Sequence, residues 1–180
     1  TITNDGTITV SGVESGGTWA YSTDGGVNWS SDIAASTTTA TLSEGNYDAV
    51  LVRQTDASGN VGAATSLGPV TVDTTGPSVS ITALSNTGFT VSSDAAITVS
   101  VAGTGDLTAQ QVAEKFDVAT QGSVSTYTAK AGAFAGSETI TVDATLTDAA
   151  GNSTTATQVT ISPIDTTVAQ ISASYTDTGT

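Results

Sequence analysis

The chain has 180 residues, of which 17 are acidic and 3 are basic, so its net charge is −14. This balance argues against nucleic acid and anionic membranes as partners, because both require a basic face, and it favours cations. Cys and His are absent, which removes disulfides, thiolate metal sites, the usual zinc sites and the usual general base of an enzyme.

The first part of the chain carries strand and turn signals. Residues 7–10, Thr-Ile-Thr-Val, alternate between polar and apolar side chains, as in a half-buried strand. Trp19-Ala-Tyr21 and Val27-Asn-Trp29 flank Asp24-Gly25-Gly26, whose residues tolerate positive φ, and this arrangement predicts a β-hairpin. Tyr47 opens a further strand, where its position predicts a tyrosine corner, in which the hydroxyl bonds back to the main chain.

The second part has the same character, with one exception. A single helical turn is predicted around residues 108–115. On either side of it, apolar residues alternate with polar ones, which predicts strands with one buried face: Ile97, Val99 and Val101, then Ile140, Val142, Ala144 and Leu146. Several short strands with turn signals between them are typical of β-sandwiches.

An internal repeat organises the chain. Asp56-Ala-Ser-Gly-Asn60 recurs 92 residues later as Asp148-Ala-Ala-Gly-Asn152, and Asp73-Thr-Thr recurs at the same offset as Asp165-Thr-Thr. The segment that begins at Asp5 also resembles the one that begins at Asp94. The sequence therefore predicts an all-β protein of two tandem domains, over residues 1–72 and 78–164. Residues 73–77 form a linker, and residues 165–180 form a second linker with the first strand of a further repeat.

Five segments, in this order, resemble the bacterial immunoglobulin-like repeats of giant secreted adhesins of the biofilm-associated and RTX-adhesin kind. They are residues 18–29 and 52–60, the linker Asp73-Thr-Thr-Gly-Pro77, and in the second copy residues 116–129 and 147–152. The resemblance implies immunoglobulin-like sandwiches, an extracellular or cell-surface location, and a role in cell adhesion and biofilms. In that family the modules form long stalks, and calcium between domains holds them straight.

The resemblance also indicates which residues would bind calcium. In an immunoglobulin-like sandwich, the loop between the last two strands lies at the end opposite the loop between the first two. Acidic turns from successive modules are therefore expected at a shared junction, and Ca²⁺ takes six to eight oxygen ligands. The expected ligands are Asp5, Asp73, Asp148 and Asn152 at one junction, and Asp94 and Asp165 with Asp56 and Asn60 of the following module at the next. The alternative is that these Asp and Asn residues are turn formers without any metal.

The leading functional hypothesis is a non-enzymatic structural spacer in a stalk or fibre, since no catalytic constellation is present. The alternative is a carbohydrate- or protein-binding module that uses the hairpin around Trp29, and a third possibility is an accessory domain of a secreted hydrolase. An exposed aromatic strip would favour binding, whereas buried Trp19 and Trp29 would favour the spacer.

The chain ends suggest head-to-tail assembly. Aligning the repeats leaves the first domain without its own first strand and gives the C-terminal tail a spare one, with Ile171 on its buried face. We expect that strand to complete the first domain of a neighbouring copy, either between separate chains or within one continuous polypeptide, and so to build a filament. The competing interpretation is a disordered tail.

Overall fold

The computed structural model describes residues 1–92, 94–167 and 172–173. Most of these residues form strands in several antiparallel sheets, and one short helix is present, so the predicted β-rich fold is confirmed. The chain divides into two compact units. The first comprises Thr1–Pro77 together with Thr147–Ser153, and the second comprises Ser78–Leu146 together with the residues from Thr154 onward.

The first unit is built from short strands in two sheets. Its strands are β1 (Ile2–Thr3), β2 (Thr7–Thr9), β3 (Thr18–Ser22), β4 (Ile33–Ala34), β5 (Thr39–Thr41), β6 (Gly45–Thr55) and β7 (Thr65–Val72). One sheet has the order β1-β7-β6-β3-β4, and the other consists of β2 and β5. Strand β1 runs parallel to β7, whereas the other pairs are antiparallel.

The core of the first unit draws on both of its sheets. Ile8, Trp19, Leu42, Val50 and Val72 form one buried cluster. Trp19 is only 2% exposed, and its indole Nε1 donates to the main-chain oxygen of Thr37 at 2.7 Å. Burial of each such side chain stabilises the fold by about 1.5–3 kcal/mol, and the paired indole nitrogen leaves no unsatisfied donor in the core.

The second unit contains the remaining elements, except for one end residue of each of two strands. The elements are β8 (Ile81–Leu84), β9 (Gly88–Ser92), β10 (Ala96–Val101), β11 (Gly105–Asp106), α1 (Ala109–Lys115), β12 (Phe116–Gln121), β13 (Val124–Ala129), β14 (Ala135–Thr147), β15 (Ser153–Thr155) and β16 (Val159–Asp165). The exceptions are Thr147 at the end of β14 and Ser153 at the start of β15, which belong to the first unit. One sheet has the order β12-β13-β9-β8. The other has the order β11-β10-β14-β15, and β16 also pairs with β14.

The core of the second unit confirms the predicted alternation along β14 for three of its four apolar residues. Ile140, Val142 and Ala144 are buried in one cluster with Phe89, Phe116 and Phe134, whereas Leu146 is only half-buried. Phe89 is fully buried and stacks on Tyr127 with ring centroids 4.8 Å apart. A period of two places every second side chain of a strand on the same face, which is why the sequence pattern identified the buried face.

The helix lies where the sequence predicts a helical turn. Thr108 caps it and forms a reciprocal capping box with Gln111, which satisfies main-chain donors at the first turn. Helix α1 spans 7 residues, and the described part of the chain contains no helix long and apolar enough to cross a bilayer.

The predicted hairpin after Trp19 has a different second strand. Strand β3 pairs with β4, with Trp19 opposite Ile33, and residues 27–29 are not a strand. The main-chain N–H of Asn28 bonds to the carboxylate of Asp24 instead, so it is not free to join a sheet ladder. The prediction that Val27-Asn-Trp29 forms the second strand is therefore wrong, because turn capping extends the connection.

Tyr47 makes the predicted hydrogen bond. Its hydroxyl donates to the main-chain oxygen of Ser43 at 2.8 Å, just upstream of β6, in which Tyr47 is the third residue. This bond confirms the corner geometry.

Candidate functional site

The Asp148–Asn152 loop is organised by one carboxylate. Asp148 Oδ1 accepts main-chain hydrogen bonds from Ala150, Gly151 and Asn152, each at 2.9 Å. The Asn152 side-chain amide donates to Asp148 Oδ2 at 3.0 Å. Gly151 has a φ of +96°, a conformation that side-chain-bearing residues rarely adopt. The residue types of the Asp-x-x-Gly-Asn motif therefore serve a self-capped turn.

The Asp56–Asn60 loop repeats this arrangement. Asp56 Oδ1 accepts from the main-chain N–H groups of Ser58 at 2.9 Å and Asn60 at 2.8 Å, and the Asn60 amide donates to Asp56 Oδ2 at 2.7 Å. Gly59 has a φ of +90°. The sequence repeat is thus also a repeat of local structure.

A third loop of the same kind was missed by the sequence analysis. Asp24 Oδ1 accepts from the main-chain N–H of Asn28 at 2.9 Å, and the Asn28 amide donates to Asp24 Oδ2 at 2.7 Å. The hydroxyl of Ser22 also donates to Asp24. The interpretation of Asp24 as a turn residue is confirmed. An Asp followed by an Asn four positions later is the signal, common to all three loops, that would have found it.

These bonds stabilise the charged form of each aspartate. The hydrogen bonds from Asn28, main-chain first, lower the pKa of Asp24 to about 2. The side-chain amides of Asn60 and Asn152 are the main causes that lower the pKa of Asp56 and Asp148 below the ordinary value. All three carboxyl groups are therefore ionised at neutral pH.

The Asn152 amide connects its loop to the residues that follow β7. Its Nδ2 lies 2.7 Å from the main-chain oxygen of Asp73 and 3.5 Å from that of Thr75. The Asp73 carboxylate itself accepts from the N–H of Thr75 at 3.1 Å. Asn4 is also near, because its side-chain nitrogen lies 3.6 Å from the position that a Cβ on Gly151 would occupy. All of these residues belong to the first unit.

The other predicted metal ligands lie in separate turns. Asp5 Oδ1 accepts from the N–H of Thr7 at 2.9 Å, and Asp165 Oδ1 accepts from the N–H of Thr167 at 2.8 Å. The pKa of Asp5 is lowered mainly by the Thr7 side chain, and the pKa of Asp165 mainly by the Thr167 N–H. Asp94 is an exposed turn residue.

The predicted ligands can be compared with what Ca²⁺ requires, first for the carboxylates and then for the main-chain oxygens. Among the described residues, no group of three or more acidic side chains is gathered closely enough to hold a metal ion. However, three oxygens surround the Asn152 amide nitrogen, namely Asp73 O, Thr75 O and Asp148 Oδ2. A hard cation could bind these three oxygens only by displacing the Asn152 amide nitrogen that lies between them, and they would then supply about half of the ligands that Ca²⁺ takes.

The two tryptophans do not form an open aromatic platform. Trp19 belongs to the core, as described above. Trp29 is half-buried, its Nε1 donates to Gly26 O at 3.0 Å, and the Arg53 guanidinium lies over its ring, 3.9 Å from the centroid. One ring face of Trp29 is therefore covered by a cation.

A scan against protein-family models finds no match, and neither does a search of curated proteins.

Proposed function

We propose that the chain is a non-enzymatic structural spacer of two immunoglobulin-like sandwiches, part of a stalk or fibre of an extracellular bacterial adhesin. A spacer has to transmit force without unfolding. The observation that carries the proposal is the parallel pairing of β1 with β7 in the first unit, the first and last strands of residues 1–77.

This pairing is well placed to resist tension. Thr71 N–H donates to Thr1 O at 2.8 Å, and Asp73 N–H donates to Thr3 O at 2.9 Å. When the chain is pulled from before β1 and from after β7, the two parallel strands slide against each other. Both bonds are then loaded together, whereas bonds in a peeling geometry break one after another.

Head-to-tail joining by strand complementation is part of the proposal. In the first unit, β2 pairs with β5, and its other edge is unpaired among the described residues. A groove beside it is lined by apolar side chains that include Ile8, Leu42 and Val70. A strand from a neighbouring copy would satisfy that edge and cover that groove.

Ile171 and residues 174–180 lie outside the described residues, so the proposal that the tail supplies this strand rests on the repeat alignment. The alignment places that strand before β1 in the fold, and β1 itself pairs with β7.

Calcium at the junction remains part of the proposal, supported by the family resemblance and by the oxygens around the Asn152 amide. Asp73 and Thr75 would contribute main-chain oxygens, and Asp148 its carboxylate. The bound ion would neutralise part of the net charge of −14 and restrain the loops that it joins.

Single-molecule force spectroscopy tests the spacer function. Two unfolding events are expected, releasing about 250 Å of chain from the first unit and about 300 Å from the second. Thr71→Pro removes the N–H that bonds to Thr1 and should lower the unfolding force of the first unit, while the second unit in the same molecule serves as the control. Opening of the first unit without a measurable force peak would contradict the proposal.

The second candidate is a carbohydrate- or protein-binding module. The burial of Trp19 and the Arg53 cover on Trp29 favour the spacer over it. A glycan array separates the two functions, since the spacer predicts no binding above background. A reproducible glycan signal that Trp29→Ala abolishes would favour the binding module instead.

A further inference from the structure

Two motifs occur twice in this chain, and one copy of each is already in contact. The Asp148–Asn152 loop donates through the Asn152 amide to the main-chain oxygen of Asp73, at 2.7 Å. The first motif recurs as Asp56–Asn60 and the second as Asp165-Thr-Thr, both displaced by the same 92 residues. The remaining copies, Asn60 and Asp165, therefore carry the two halves of the same contact.

The local geometry of the remaining copies matches that of the joined ones. Both Asp-x-x-Gly-Asn loops have the same carboxylate-capped turn. Both Asp-Thr-Thr segments have the same bond from the second Thr N–H to the Asp carboxylate, at 3.1 Å for Asp73 and 2.8 Å for Asp165. Each half is thus preorganised in the conformation that the formed contact uses, which lowers the entropic cost of docking.

The two motif copies that are in contact differ in solvent exposure from the two copies that are not. Asn152 and Asp73 are half-buried, whereas Asn60 and Asp165 are exposed. Among the described residues, the Asn60 amide donates to Asp56 alone, and an amide nitrogen carries two donor hydrogens. One donor of Asn60 is therefore available to an external acceptor.

We propose that a second copy of this chain docks at the Asp56–Asn60 loop, with the Asn60 amide donating to the main-chain oxygen of Asp165 in that copy. The contact joins different surfaces of the two copies, so it is heterologous and does not close on itself. This inference rests on the proposed function, because it specifies how neighbouring spacer modules meet.

Charge sets the conditions for this contact. The three basic residues already have local partners: Arg53 lies over Trp29, Lys115 bonds to Ala133 O, and Lys130 bonds to Ala113 O and forms an ion pair with Asp117 at 3.7 Å. The acidic surface is therefore largely uncompensated, and Asp56 and Asp165 are brought near each other in the docked state. Raising NaCl from about 0.1 M to about 1 M shortens the screening length from about 10 Å to about 3 Å and should strengthen the association.

Thiol cross-linking tests the contact, and the absence of Cys gives a clean background. Ala57→Cys with Thr167→Cys places one thiol beside each half, without replacing Asn60 or Asp165. The equivalent pair in the formed contact, Ala149→Cys with Thr75→Cys, calibrates the reaction, because a short bifunctional thiol reagent should link it within one chain. A chelator is present throughout, so that no metal bridges the loops.

The expected result is a ladder of dimers, trimers and larger species for the Ala57→Cys/Thr167→Cys variant, stronger at high salt. Adding Asn60→Ala should reduce the ladder about fivefold relative to the same variant with Asn28→Ala, which alters a matched loop elsewhere in the unit. No ladder while the calibrating pair reacts, or a ladder that Asn60→Ala leaves unchanged, would overturn the proposal.

A measurement on the unmodified chain keeps the test independent of the variants. A contact built on few hydrogen bonds has a Kd of about 1 mM, so NMR signals of the Asn60 amide and of Asp165–Thr167 should shift together as the concentration rises to that range. The Asn28 amide should not shift. Constant Asn60 signals would overturn the inference, whereas the force measurement on single chains would still decide the spacer function by itself.

Discussion

Asn152→Ala should destabilise the first unit more than Asn60→Ala does, although residue 152 lies far along the sequence from residues 1–77. Both substitutions remove an amide that bonds to the aspartate of its own loop. Only Asn152→Ala also removes the 2.7 Å bond to Asp73 O. A hydrogen bond of this kind contributes about 1 kcal/mol net, so the two variants should differ by about that amount.

The two tryptophans make the measurement specific, since Trp19 and Trp29 both lie in the first unit. Urea unfolding followed by tryptophan fluorescence therefore reports on that unit. With a urea dependence of about 1–2 kcal/mol per M, a difference of about 1 kcal/mol moves the midpoint by about 0.5–1 M. The midpoint for Asn152→Ala should be lower than that for Asn60→Ala by this amount.

Asn28→Ala is the matched control, because its loop has the same cap and lacks a bond to Asp73. It should behave like Asn60→Ala. Equal midpoints for Asn152→Ala and Asn60→Ala would refute the conclusion that the Asn152 bond stabilises the first unit.

Three further predictions follow from the same geometry. Acid should destabilise the first unit as the pH falls from the ordinary aspartate pKa of 3.8 towards the lowered pKa of Asp24, about 2. A carboxyl group whose pKa is lowered in the folded state stabilises the fold above the unfolded pKa, and this contribution is lost as the pH falls through the folded pKa. In Asp24→Asn, the Tm should therefore depend less on pH across this range. Gly6→Ala should cost about 1–3 kcal/mol, because a Cβ would lie 2.3 Å from Leu42 O, whereas Gly62→Ala, with its nearest neighbour at 3.6 Å, should leave the urea midpoint unchanged. Calcium at a hundredfold excess over Kd should raise the free energy of unfolding by about 2.7 kcal/mol, and a chelator should reverse the accompanying rise in Tm; a Tm that the chelator leaves unchanged would remove calcium from the proposal. Asp73→Ala should retain the far-ultraviolet β signal, since Asn152 bonds to the main chain of residue 73.

Local signals in the sequence were sufficient for several strands, for the helical turn after Thr108 and for the tyrosine corner. The alternation around Ile140 reflects the two faces of one strand, the Thr108 capping box lies within four residues, and the Tyr47 hydroxyl reaches a carbonyl four residues away. These features depend on neighbours in sequence, so their residue types and spacings carry the information. The paired motifs at Asp56 and Asp148 are of the same kind.

Partners that are distant in sequence were decided by the tertiary structure. The residues of Asp24–Asn28 are compatible with either a tight hairpin or a capped turn. In the structure the turn is capped by Asp24, and β3 pairs with β4, which lies further along the chain. The parallel pairing of β1 with β7 joins residues nearly 70 positions apart, for which no local pattern exists.

The candidate site shows the same division. The sequence by itself determined that aspartate and asparagine would recur at fixed positions, because each turn needs a carboxylate cap, a residue with positive φ and an amide. It did not determine what those groups would meet. The predicted carboxylates lie in separate turns, and those of Asp5, Asp56, Asp73, Asp148 and Asp165 accept hydrogen bonds from residues of their own turn. Only the tertiary structure placed the Asn152 amide against the main chain of Asp73, because that contact depends on the paths of two loops rather than on the residue types within either.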